Sequence, residues 1–114
     1  MENKIEVISK EVCLLRVVEN RISINFFNKC QFDGEVYSVE NKDIKYHCWS
    51  NQDWYSDHRY CLIVNLEKFE DAKKDFEHKI SKKIDKYIDH LERRISSGNF
   101  RKRNLISQLK EIEL

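Results

Sequence analysis

NLEKFEDAKKDFEHKISKKIDKYIDHLERRISS, residues 65–97, is the stretch that decides the fold. Its apolar residues recur at steps of three and four, which places them on one face of a helix. They are Phe69, Ala72, Phe76, Ile80, Ile84, Tyr87, Ile88, Leu91 and Ile95. The positions between them are nearly all Lys, Asp or Glu, as a solvated face requires. We therefore predict one amphipathic helix, roughly 45 Å long, that begins at the N-cap Asn65 and ends at Gly98.

The composition is typical of one folded domain that spans residues 1–114. Hydrophobic residues make up 40% of the chain and charged residues 36%, and the apolar residues are clustered and periodic, which argues against disorder. The formal net charge is +1, so no overall field favours nucleic acid as a partner. An electrostatic contact would therefore have to be local.

Neither a membrane span nor a signal peptide is indicated by the sequence. The apolar run over residues 12–18 is too short to cross a bilayer and contains Arg16. We therefore expect a cytoplasmic protein without a cofactor, in which the cysteines are reduced thiols. The four cysteines are Cys13, Cys30, Cys48 and Cys61.

An N-terminal amphipathic helix is predicted over residues 2–20. Ile5, Ile8, Val12, Leu15 and Val18 are spaced by three and four residues, as the buried stripe of a helix would be. The segment is also rich in β-branched residues, which favour strands. A strand is therefore the alternative interpretation of this segment.

Alternation of apolar and polar residues predicts four strands, over residues 22–32, 36–40, 44–50 and 59–66. A bulge is expected near residues 26–28, where two aromatic residues are adjacent. Asp33-Gly34 indicates a hairpin, because glycine accepts the positive φ that a tight turn needs. Residues 40–43 are interpreted as a second turn and residues 51–58 as a loop.

These elements predict an α+β fold. Its order is an N-terminal helix, a four-stranded antiparallel meander, the long helix and a short C-terminal helix. The buried stripe of the last helix is expected to be Leu105, Leu109 and Ile112. We expect the long helix to pack across one face of the sheet, with Leu62 and Val64 beneath it.

A group of cysteines and histidines suggests two kinds of chemistry. Cys48, His58 and Cys61 would be the ligands if zinc were bound, since zinc prefers Cys and His. No CxxC pair is present, and His47 and Cys48 point to opposite faces of a strand, so buried free thiols are the competing interpretation. Either cysteine could also act as a nucleophile beside a histidine. Because nothing in the sequence positions these groups, we expect neither a metal site nor a catalytic site.

An aromatic group and a basic cluster are the candidate surfaces for a partner. The partner-binding candidates are Trp49, Trp54, Tyr55, Arg93, Arg94, Arg101, Lys102 and Arg103. Alternation along the strand places Trp49 on the face opposite Tyr46 and Cys48, where Ile63 of the next strand should join it. Tryptophan and tyrosine are enriched in interface hot spots. The basic residues suit phosphates or an acidic protein groove, although a solvated turn would also explain them.

Leu62-Ile-Val-Asn65, followed directly by a helix that contains Lys83-Ile84-Asp85, Ile88-Asp89 and Leu91, resembles the C-terminal half of a streptococcal phage inhibitor of Cas9. This family is a type II-A anti-CRISPR, and the similarity covers about residues 62–105. The family carries a long basic N-terminal arm, whereas this chain begins with the predicted apolar helix. A role of that arm is therefore not carried over.

The resemblance implies a small non-enzymatic phage protein that binds a host CRISPR effector or its guide-RNA complex. Its contacts would be the predicted loop that carries Trp54 and Tyr55 and the turn that carries the basic cluster, which could also contact phosphates. A homodimer is compatible with this function. A phage-encoded protein of this kind would act in the host bacterial cytoplasm. The alternatives are a small regulatory interaction protein, with or without zinc, and a small cysteine enzyme.

Overall fold

The computed structural model describes residues 5–90 and 95–114, and the side chains of residues 5–84, 86 and 101–114. The described strands are β1 (Glu6–Ile8), β2 (Val12–Val18), β3 (Arg21–Phe27), β4 (Cys30–Phe32), β5 (Val36–Asn41), β6 (Ile44–Trp49), β7 (Trp54–Ser56) and β8 (Tyr60–Ile63). A 3₁₀ turn (Leu66–Lys68) leads into α1 (Phe69–His90), and α2 (Ile95–Glu111) follows.

The strands form two antiparallel sheets of four strands each. The outer sheet has the order β1-β4-β5-β6, and the central sheet has the order β3-β2-β8-β7. The described part of the chain therefore has three layers, since the central sheet lies between the outer sheet and the two helices. The fold class that we predicted, with one meander and an N-terminal helix, is wrong.

The central sheet is buried on both of its faces. Cys13 and Leu15 of β2 contact the helices, whereas Val12 and Leu14 contact the outer sheet. Because successive side chains of a strand point to opposite faces, a strand between two layers becomes a continuous apolar run. All four of these residues are fully buried.

The predicted N-terminal helix is replaced by strands β1 and β2. The spacing of three and four residues arises because β2 is apolar at nearly every position, so any period can be drawn through it. The β-branched residues that made a strand the alternative interpretation fit the pleated surface. After β2 the chain reverses at Glu19 and Asn20, both at positive φ (48° and 66°), and β3 pairs back along it.

The predicted first strand, residues 22–32, is in fact two strands in different sheets. β3 pairs with β2 in the central sheet, and β4 pairs with β1 and β5 in the outer sheet. The adjacent aromatics, interpreted as a bulge, mark the point where the chain crosses between the layers. Phe27 accordingly packs into the core between the sheets, whereas Phe26 is exposed.

We predicted that Leu62 and Val64 lie beneath the long helix, but the helix packs on the other face of this segment. Cys61 and Ile63 lie beneath α1, and Leu62 and Val64 face the outer sheet. Residues 51–58 are also more ordered than a loop, because β7 pairs with β8 inside this range. Both faces of β8 are apolar, so periodicity could not decide which face meets the helix.

Helix α1 buries the stripe that its periodicity predicts, from Phe69 to Ile84. The predicted end at Gly98 is wrong, because this glycine lies inside α2. Leu105 and Leu109 of α2 are buried against the same core, which confirms the stripe predicted for the last helix. Their burial outweighs the roughly 1 kcal/mol that glycine costs in a helix interior.

The predicted hairpin turn at Asp33-Gly34 is confirmed, whereas the second predicted turn is confined to residues 42–43, because Glu40 and Asn41 belong to β5. Gly34 has a φ of 101°, and Asp33 Oδ1 accepts hydrogen bonds from the backbone N–H groups of Glu35 (2.9 Å) and Val36 (2.8 Å). The side chain of Asn65 accepts from the backbone N–H of Glu67 at 3.1 Å, so Asn65 is an N-cap, but of the 3₁₀ turn that leads into α1 rather than of α1 itself.

Within residues 5–90 and 95–114, no helix is long and apolar enough to cross a membrane.

Candidate functional site

The three aromatic candidates line one groove, which we call the aromatic groove. It has a volume of about 610 Å³ and lies where the end of β6, strand β7 and helix α1 meet. Its lining residues are Trp49, Asn51, Gln52, Asp53, Trp54, Tyr55, Ser56, Asp75 and Lys79. The sequence predicted the aromatic members of this set, and the tertiary structure adds the polar ones.

Strand β7, which lines the groove, is fixed by backbone hydrogen bonds to β8 and to the residues that follow β8. The carbonyl oxygen of Asp53 accepts from the N–H groups of Val64 (2.8 Å) and Asn65 (3.2 Å). Trp54 then pairs with Ile63 in the central sheet. These bonds fix β7, so the groove residues are presented on a strand rather than on a free loop.

Asp75 of α1 is the polar centre of the groove. Its Oδ2 accepts hydrogen bonds from Trp54 Nε1 (3.2 Å) and from the Ser56 hydroxyl, and it lies 3.4 Å from Lys79 Nζ. Lys79 Nζ also donates to the carbonyl oxygen of Ser56 at 2.7 Å. This network ties helix α1 to strand β7 and sets the orientation of the Trp54 ring.

The network also determines the acidity of the Asp75 carboxyl. Burial acts to raise its pKa, but the hydrogen bonds from Ser56 and Trp54 and the charge of Lys79 outweigh burial. The pKa of Asp75 therefore lies below its ordinary value. Asp75 is therefore an anion at neutral pH. Because its Oδ2 already accepts hydrogen bonds from Trp54 and Ser56, its role is structural.

Trp49 differs from the other two aromatics because it faces outward. Tyr46 and Cys48 of β6 are buried in the core between the sheets, while His47 and Trp49 lie on the outer face of the outer sheet, as predicted. Trp49 remains 49% exposed. The expectation that Ile63 joins this face is wrong, because Ile63 belongs to the central sheet and is fully buried.

Trp54 and Tyr55 are half-buried and face different cores. Trp54 packs against the core beneath the helices, and Tyr55 packs against the core between the sheets, 5.5 Å from the ring of Tyr60. Their rings are therefore committed largely to the fold. Trp49 is the aromatic side chain of the groove with the most surface left for a partner.

The basic candidates lie apart from the aromatic groove. Arg93 and Arg94 are outside the described residues. Arg101 and Arg103 are exposed on α2, and Lys102 and Arg103 line a second groove of about 540 Å³ together with Lys110. The described basic residues thus share a helix, but none of them lines the aromatic groove.

The structure does not bring together the three residues that would be the ligands if zinc were bound. Cys48 is buried between the two sheets, and Cys61 is buried on the other side of the central sheet, beneath the helices. His58 lies in the connection between β7 and β8. Among the described residues, no group of three or more Cys, His, Asp or Glu side chains has the arrangement of a metal site.

The thiols are poor nucleophiles where they stand. Burial, with a smaller contribution from Glu11, raises the pKa of Cys13 to about 12, and burial with Asp53 and Cys30 raises the pKa of Cys48 to about 12. Burial raises the pKa of Cys61 well above its ordinary value. Reactivity requires the thiolate, so this environment disfavours both cysteine catalysis and zinc binding.

We expect all four cysteines to be unreactive in the native protein. A thiol-specific chromogenic reagent at pH 8 should modify less than about a tenth of the thiols within an hour, and all four should react in denaturant. The four side chains are buried, so reaction should follow the opening of the fold. Rapid modification of one thiol under native conditions would show that it is accessible and would reopen the catalytic interpretation.

The polar residues of the groove were missed at the level of sequence. Asp75 and Lys79 stand four residues apart on the polar face of α1 and look like an ordinary surface pair. Ser56 carries no signal at all. Only the packing of α1 beside β7 shows that these side chains contact each other.

Comparison of the chain with protein-family models, curated proteins and solved structures finds no match.

Proposed function

We propose that this chain is a small non-enzymatic binding protein that inhibits a host CRISPR effector or its guide-RNA complex. The observation that carries the binding role is Trp49, which is half-exposed on a sheet face that no described element covers. Val36 of β5 is directly opposite Trp49 on this face, and Val7 of β1 is exposed on the same face three strands away. Exposed tryptophan beside further apolar surface is a common sign of an interaction site.

The predicted N-terminal helix, had it formed, could have covered this face and enclosed a small core. That arrangement has no support, because the N-terminal residues that the structure describes are strands β1 and β2. The outer sheet buries its inner face against the central sheet and leaves its outer face open. Trp49 is thus available at the rim of the aromatic groove, which a projecting side chain of a partner could enter.

The identity of the partner rests on the resemblance to the type II-A anti-CRISPR family. The similar segment, about residues 62–105, begins within β8 and continues through α1 into α2. In this proposal the exposed basic residues of α2, Arg101 and Arg103, make additional contacts to phosphates of the guide complex. The site of action would be the cytoplasm of the host bacterium.

The non-enzymatic part of the proposal is supported by the state of the candidate nucleophiles. Cys48 and Cys61 are fully buried and have raised pKa values, so neither is the accessible thiolate that nucleophilic catalysis requires. Inhibition by occupancy needs only a surface of suitable shape and chemistry.

The proposal is tested by adding the purified protein to Cas9 loaded with guide RNA and measuring target cleavage. The expected result is inhibition at stoichiometric protein, with co-purification of the two. Unchanged cleavage in excess protein, across several type II-A effectors, would contradict the CRISPR assignment. A metal-free regulatory protein with another partner would then be the function to pursue.

Replacing Trp49 with alanine should weaken binding to the effector by about 2 kcal/mol or more, roughly thirtyfold, since truncation removes a hot-spot side chain. The measurement is the dissociation constant from a titration. Phe26→Ala is the matched control, because Phe26 is an aromatic residue of similar exposure (45%) on the central sheet. An equal loss for both variants would show that Trp49 is not the contact.

A further inference from the structure

A third groove, which we call the basic groove, lies at one end of the two sheets. It has a volume of about 300 Å³, and its lining residues include three cationic ones, Arg16 of β2, Lys45 of β6 and Arg59, which directly precedes β8. Tyr60 also lines it, and Val18 and Ile44 add apolar walls. None of these residues belongs to the aromatic groove or to the basic face of α2.

Arg16 is the unusual member of the basic groove. Its guanidinium donates to the Ser23 hydroxyl (3.4 Å) and to Asn25 Oδ1 (3.1 Å), which are both neutral groups. Its Nε is buried and has no hydrogen-bond partner among the described residues. Buried parts of charged side chains are normally paired, because desolvation is costly. The hydrogen-bond partners of Arg16 among the described residues are neutral, and no direct ion pair there neutralises its charge.

The acidic residues near the basic groove act on the other two cations. Arg59 lies 3.5 Å from Asp57 Oδ2, while Oδ1 of Asp57 accepts from the backbone N–H groups of Arg59 and Tyr60. Lys45 is opposite Glu40 in the outer sheet and interacts electrostatically with Asp33. No described carboxylate forms an ion pair with Arg16.

We propose that the basic groove binds the phosphate group of a nucleotide, either free or within a single strand. A phosphate presents at least two acceptor oxygens outside its ester bonds and matches the planar fork of Arg16, while Lys45 and Arg59 supply further positive charge. The exposed apolar side chains of Val18 and Ile44 are suited to contact the base. This proposal does not depend on the CRISPR assignment.

The surroundings of the groove extend its positive charge. His58 adjoins Arg59, and burial lowers the pKa of His58, with Lys83, Arg59 and Arg101 acting in the same direction against Asp57. Basic side chains from α1 and α2 therefore lie near the same connection. A nucleic-acid strand with one phosphate in the groove could also contact these basic side chains, whereas a free nucleotide is too short to reach them.

The test is fluorescence anisotropy of a labelled twelve-residue oligothymidylate with the full chain at about 50 mM salt, with adenosine monophosphate and adenosine as competitors. We expect binding that adenosine monophosphate displaces and adenosine does not. Equal competition by adenosine would overturn the role of the phosphate. If adenosine monophosphate displaces the oligonucleotide at micromolar concentration, the ligand is a free nucleotide. If it competes only weakly, the ligand is single-stranded nucleic acid.

The variants Lys45→Gln and Arg59→Gln should each weaken binding about threefold to tenfold and reduce the salt dependence by about one phosphate contact. Arg16→Gln should weaken it more than about tenfold, since both the charge and the fork are lost. Lys68→Gln is the matched control, because Lys68 is exposed beyond the opposite end of β8 and loses the same charge.

Thermal unfolding separates a binding defect from a folding defect. If Arg16→Gln fails to fold, the double variant Lys45→Gln with Arg59→Gln decides, because Lys45 and Arg59 are exposed. That double variant should lose more than about tenfold in affinity with an unchanged melting temperature. Absence of oligonucleotide and nucleotide binding by the natural chain, or an equal loss in Lys68→Gln, would overturn the proposal.

Discussion

Replacing Phe76 with alanine is expected to destabilise the protein by about 3–5 kcal/mol, a large part of the stability of an ordinary small domain. Phe76 is fully buried in the core that joins α1, α2 and the central sheet. Truncation removes apolar burial and leaves a cavity that the β-strands and the second helix cannot easily fill. The free energy of unfolding, measured by urea denaturation, tests this expectation.

His78→Ala is the appropriate control for Phe76→Ala. His78 is exposed on the same helix, two residues away, so its truncation should change the free energy of unfolding by less than about 0.5 kcal/mol. If the two variants unfolded at the same urea concentration, the packing of α1 on the central sheet would be contradicted. A loss of cooperativity in Phe76→Ala alone would still agree with a core that joins three elements.

Asp75→Ala is expected to cost about 2–3 kcal/mol, which is large for a residue of the groove surface. The variant leaves Trp54 Nε1 and the Ser56 hydroxyl without their acceptor and separates Lys79 from its counter-ion. The readouts are urea denaturation and tryptophan fluorescence, since the indole of Trp54 loses a hydrogen bond. Asp71→Ala, at an exposed position of the same helix, is the control and should be nearly neutral.

The contribution of Asp75 should depend on pH in a defined direction. Because its pKa is lower in the folded protein than its ordinary value of 3.8, the anion stabilises the fold above that value. The difference in unfolding free energy between the natural chain and Asp75→Ala should be constant near neutral pH and should shrink as pH falls below about 3.8. A difference that stayed constant down to pH 2 would mean that the charge of Asp75 contributes nothing.

The candidate site was predictable only in its aromatic part. Alternation along β6 placed Trp49 outward, because one face of that strand is buried and the other is not. The same reasoning failed for Ile63, since both faces of β8 are buried and the alternation disappears. Ser56 and Asp75 come from elements nineteen residues apart along the chain, and their contact follows from packing that leaves no local pattern.

The sequence by itself determined the elements that have one solvent-exposed face and one buried face. Helix α1 is an example, because the Phe69–Ile84 stripe alternates with charged residues at the helical period, and burial of that stripe stabilises the helix. The turns at Gly34 and at residues 42–43 are equally local, since they depend on the backbone conformations of a few residues.

The tertiary structure alone decided where the chain divides between two sheets. Val12 to Leu15 lie between two apolar layers, so every position is buried and the sequence cannot distinguish a strand from a helix there. The crossing after Phe27 likewise has no local signal, because β3 and β4 gain their hydrogen bonds from different distant strands. The open face with Trp49 follows from that division, since the outer sheet uses its inner face to cover the central one.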